Sequence, residues 1–146
     1  MHNIVVLEAG FPPWSPTSDA ALVREYDRWN VPLVGVFRQR QGLYLFANIV
    51  GGDRATGGWA YAAVEEDDVR QLDAAGDPAE LWQEIESLLG SRPAVTAVAA
   101  DAGGERGGPE VQTHAVSWDH ADYRHLRRRI EEQVRAHREA TAKFRS

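Results

Sequence analysis

Three apolar runs follow one another between residues 32 and 64, PLVGVFRQ, GLYLFANIV and GWAYAAV, and they constrain this chain more than any other feature. All are rich in valine, leucine and aromatic residues, which fit a pleated, half-buried surface. The short RQRQG turn joins the first two, and a glycine-flanked loop joins the last two. In the middle run Leu43, Leu45, Ala47 and Ile49 alternate on one face, while Tyr44, Phe46 and Val50 alternate on the other. A strand apolar on both faces needs a layer packed on each, so it belongs in the centre of a sheet.

The rest of the chain supplies those layers. EEDDVRQLDAAG and DPAELWQEIESLLG read as two helices, the first with acids crowding its first turn. The second opens on Asp77 as cap and Pro78 as first helical residue, carries an apolar stripe of Leu81, Trp82, Ile85, Leu88 and Leu89, and stops at Gly90. AVTAVAA and VQTHAVSW follow as strands, and a long helix begins at Ala121, with Tyr123, Leu126, Ile130, Val134, His137 and Phe144 near one face. At the other end NIVVLE, Asn3–Glu8, suits a buried strand, and AGFPPWSPTSD then interrupts regular structure with three prolines. AALVREYDRW is two-sided: Leu22, Val23, Tyr26 and Trp29 keep helical spacing behind Ser18 or Asp19 as a cap, yet the segment also reads as a strand leading into NVPLVGVFRQ. Strand is the preferred reading. The expectation is an α+β fold, a mainly antiparallel sheet of about five to seven strands with two central helices and a long C-terminal helix. It is one domain, with 1–20 a strand plus a Pro/Trp arm, 21–118 the sheet with its inserted helices, and 119–146 the basic helix.

The Glu25-Tyr26-Asp27, Pro32-Leu33 and Leu43-Tyr44-Leu45 arrangement resembles that of small bacterial domains with no established activity. The resemblance spans about residues 22–100 and departs at Arg28–Val31, an insertion before the proline. It implies a strand for Val23–Trp29 and supplies no mechanism.

Charge separates the chain into two parts. The net charge is −6, but residues 121–146 hold eight basic and four acidic side chains, against eight and eighteen in residues 1–120. Such a basic segment docks on its own acidic body, meets an acidic partner or touches nucleic acid. No cysteine is present, which excludes disulfides, thiol chemistry and zinc–thiolate sites. No apolar run approaches the roughly 18 residues of a membrane span, and no signal-peptide pattern opens the chain, so a cytoplasmic protein with no membrane association is expected.

Two loops pose the question of ligands. GGDRATGG, Gly51–Gly58, and GGERGG, Gly103–Gly108, each bracket an acid and an arginine. A phosphate cradle leads into a helix N-terminus, whereas both loops lead into strands, so they read as hairpin tips. The competing reading is a loop ordered on a partner, with Arg54 and Arg106 as contacts. The densest set of chemically capable groups is THAVSWDHADYRH. His114, Asp119, His120 and Asp122 are its weak catalytic candidates. However, His120 and His125 are too far apart around a helix to share a metal, and Asp119 or Asp122 serves more simply as a helix cap. The Glu65–Asp68 run lacks the extended spacing and glycine turn of a calcium loop. No metal and no cofactor is expected, and no serine occupies a nucleophile turn.

Aromatic residues complete the inventory. Trp14 sits among prolines in FPPWSP, where it and Phe11 either fold back as a lid or form an exposed anchor. The last helix is too impure for a coiled coil; Tyr123 and Arg127 are its candidate contacts, and a homodimer along it is the alternative to packing on the domain. The functional expectation is a non-catalytic protein-binding accessory or regulatory protein, an inhibitor or immunity protein being one instance. The alternatives are a metal-dependent or acid–base hydrolase built on His114–Asp122, and a nucleic-acid binder using the basic helix, which the acidic body disfavours.

Overall fold

The structure, a computed structural model, describes residues 5–8, 12–29, 31–51, 57–99, 114–118 and 122–145, with backbone alone for 114–118 and 141–145. Among the described residues six strands form one sheet: β1 Ala21–Trp29, β2 Val31–Gln39, β3 Gly42–Val50, β4 Gly57–Val64, β5 Ala94–Ala99 and β6 His114–Trp118. They lie in chain order, each antiparallel to the next. Helices α1, Glu66–Asp73, and α2, Pro78–Gly90, are inserted between β4 and β5, and α3, Tyr123–Arg145, follows β6. The α+β class and antiparallel sheet are as expected.

The central strands have two apolar faces, each covered differently. On one, Val34, Val36, Leu45, Ala47, Ala60, Ala62 and Val98 meet Val69 and Leu72 of α1, Ile85, Leu88 and Leu89 of α2, and Leu126, Ile130 and Val134 of α3. On the other, Phe37, Tyr44, Phe46, Trp59 and Tyr61 form an aromatic layer. Phe37 stacks on Tyr44 with ring centroids 5.4 Å apart and meets Tyr61 edge-on at 6.1 Å. Val5, Leu7 and Trp14 of the N-terminal arm pack against that layer.

The arm is fastened by polar contacts. Gln39, almost wholly buried, accepts from Val6 N at 3.2 Å and donates to Val6 O at 3.1 Å and to Thr17 Oγ1 at 2.8 Å. Tyr61 donates its buried hydroxyl to Pro13 O at 2.9 Å. Val5–Glu8 is therefore not the strand expected of NIVVLE. A glutamine side chain and the carbonyl of Pro16, which accepts from Glu8 N at 2.8 Å, satisfy this backbone in place of a neighbouring strand.

Two further departures have identifiable causes. A bulge between Asn48 and Val50 places Ile49 and Val50 both toward the helices, so Val50 leaves the aromatic face predicted by simple alternation. Gly90 is the last residue of α2, with Ser91 as its C-cap. A Cβ on Gly90 would lie 2.8 Å from Tyr123 N, so glycine there admits the start of α3.

Candidate functional site

β1 is the terminal strand of the sheet, and its outer side pairs with no described strand. Its register against β2 skips at Val23 and again at Tyr26. Each skip adds a residue to β1, and both added side chains turn toward the helix-covered core. The helical spacing of Val23 and Tyr26 is thus a strand pattern lengthened by two bulges. Such irregularity, with Arg24, Glu25, Asp27 and Arg28 along it, discourages indiscriminate edge pairing. Against that polar background Leu22 is 39% and Trp29 65% exposed, the two exposed large apolar side chains among the described residues.

Tyr26 and Arg24 tie this edge to α1. The Tyr26 hydroxyl donates to Asp73 Oδ1 at 2.7 Å, and Arg24 Nε donates to Asp73 Oδ2 at 3.1 Å. Burial, then the bond to Asp73, pushes the Tyr26 hydroxyl well above its ordinary pKa and keeps it a donor. Asp73 separates two clefts. The larger, about 590 Å³, runs between β1 and the α1–α2 turn; Leu72, Leu81 and Trp82 supply its apolar lining, with Tyr26, Asp27, Asp73 and Asp77 beside them. The smaller, about 390 Å³, is lined by Val23, Leu43 and Val69 together with Arg24, Arg38, Glu66 and Arg70.

These carboxylates already serve structural ends. Asp77 caps α2 by accepting from Glu80 N at 2.8 Å, and Asp27 accepts from Arg28 N at 2.9 Å. With Asp73 holding Tyr26 and Arg24, the clefts present shape, aromatic surface and charge. No group of three His, Asp or Glu side chains that could hold a metal occurs among the described residues.

The residues singled out from sequence are scattered. Trp14 is half-buried against the aromatic face, its Nε1 buried without a hydrogen-bond acceptor among the described residues. Tyr123 is half-buried where α3 begins, packed on the helix-side core, and Arg127 is exposed and pairs with Glu131 at 3.1 Å. Asp122 accepts from His125 N at 2.9 Å as the cap of α3. The backbone of His114, in β6, pairs with Val98 of β5. Phe11, Arg54, Arg106, Asp119 and His120 lie outside the described residues.

Of the Gly51–Gly58 loop, Gly57 and Gly58 belong to β4, and each has a steric role. Gly57 has φ +103°, and a Cβ on Gly58 would fall 2.1 Å from Ile130 Cγ2. The Tyr26–Asp73 contact was not foreseen, because it joins residues 47 apart through two bulges invisible to simple alternation. Trp29 did stand out in sequence, but only as a member of a helical pattern.

Comparison with protein families, curated proteins and solved structures finds no match to this chain. No helix among the described residues is long and apolar enough to cross a membrane.

Proposed function

We propose that this protein is a non-catalytic accessory or regulatory subunit that binds another protein along β1 and the cleft beside it. The observation that carries the reading is Trp29, 65% exposed on a sheet edge that pairs with no described strand. A large rigid aromatic loses little conformational freedom on binding and tends to dominate interface energetics. Leu22 is a second exposed apolar side chain on the same strand, and Trp82 and Leu81 line the cleft between β1 and the α1–α2 turn. The edge and cleft together offer main-chain hydrogen bonds and a recess for a side chain. In this reading Trp29 takes the place of Trp14, which is half-buried against the aromatic face, while Phe11 lies outside the described residues. An inhibitor or immunity-like role is one form such a subunit takes.

The test is a photo-crosslinking residue placed at position 29 in the native cell, with position 86 on exposed α2 as control. A discrete crosslinked protein at 29 and none at 86 is expected. Absence of any product at 29, or identical products at both positions, would overturn the reading.

A further inference from the structure

The basic C-terminal segment has an obvious internal destination, the acidic body, yet no ion pair among the described residues joins the two. Among the described residues every ion pair of α3 lies within the helix: Arg127 with Glu131 at 3.1 Å and Arg129 with Glu132 at 4.0 Å. The contacts of α3 with β3, β4, β5 and α2 are made instead by a face bearing buried Leu126, Ile130 and Val134.

Arg124, Arg128, Arg135 and Arg138 are all exposed, and none pairs with a described acid. At about 100° per residue they fall within about 80° of one another, in a row that flanks the buried face with Arg138 nearest to it, and span about 21 Å of helix. Glu131 on that line is engaged by Arg127, and Glu139 borders the line one turn beyond Arg135. The result is a ridge of four guanidinium groups, none of them in an ion pair with a described acid. Each can grip a carboxylate in a bidentate pair.

We propose that this ridge is a docking surface for an acidic segment of a partner protein. It stands on a different element from β1 and does not depend on that edge being used. A second copy does not fit: antiparallel pairing of two ridges would set Arg124 against Arg138 and Arg128 against Arg135. Duplex nucleic acid fits less well, because residues 1–120 carry eighteen acidic against eight basic side chains, and their field opposes a dense polyphosphate. A discrete acidic segment reaches the ridge while keeping its remaining surface clear of that body.

The test uses the full chain with two labelled probes, a twelve-residue oligoglutamate and a twelve-base-pair duplex DNA, measured by fluorescence anisotropy at several salt concentrations. Wild type is expected to bind oligoglutamate with affinity that falls as salt rises, and the DNA more weakly. The variant Arg128→Ala, Arg135→Ala should lose about tenfold in affinity, while Arg70→Ala on α1 should lose none. Thermal melts establish that the variants fold. No oligoglutamate binding by wild type, equal binding by the double variant, or tighter binding of the DNA would each overturn the proposal.

Discussion

Asp73 accepts the Tyr26 hydroxyl at 2.7 Å and so fastens the bulged edge strand to the first helix. Tyr26→Phe removes that bond but leaves Arg24 on the same carboxylate, so the expected loss is about 0.5–1 kcal/mol in urea denaturation. Because the hydroxyl's pKa is raised, its stabilisation is complete below the ordinary tyrosine value and is lost as pH rises from there through the raised value. Wild type and Tyr26→Phe should therefore converge in alkali. A constant difference across that range would contradict this role.

Asp68 works in the opposite pH direction. It accepts from Arg92 Nη1 at 2.7 Å and Nη2 at 3.0 Å, and from Glu65 N at 2.8 Å. The bonds from Arg92 hold its carboxyl below the usual range. That stabilisation is present above the ordinary carboxylate pKa and disappears as pH falls through the lowered value. Asp68→Asn should cost about 1–2 kcal/mol at neutral pH, and the gap should close in acid. Urea midpoints at a series of pH values check it.

Gly58 lies beneath Ile130, where an added Cβ would fall 2.1 Å from Cγ2. Gly58→Ala should destabilise by about 2–3 kcal/mol through overpacking, read as a lowered melting temperature. This close approach explains part of the glycine-rich stretch that sequence presents as a turn. The positions of the apolar strands and the two inserted helices are legible in sequence because period and capping are local signals. Helix–strand clearance at Gly58 and helix–helix clearance at Gly90 are set by residues distant in the chain. The same holds for β1: bulges at Val23 and Tyr26 make a strand imitate helical spacing, and only pairing with β2 resolves it.

Gln39 fastens the N-terminal arm through three hydrogen bonds, to Val6 N, Val6 O and Thr17 Oγ1. Gln39→Leu removes the partner of Val6 N and Val6 O and one of the bonds to Thr17 Oγ1, and should cost about 2–3 kcal/mol. It should also expose the arm to limited proteolysis before the sheet unfolds. Sequence marks this arm by its prolines and Trp14, whereas its polar anchors are Gln39 in β2 and Tyr61 in β4. An arm as protease-resistant as that of wild type would contradict the anchoring role.

Affinity capture from the native cell, with wild type beside Trp29→Ala, tests Trp29 as the anchor for a protein partner. Because Trp29 is 65% exposed, the variant should be within about 0.5 kcal/mol of wild type in stability. A stoichiometric partner captured by wild type and lost by Trp29→Ala is expected. Equal capture by both proteins, or no partner for either, would contradict it.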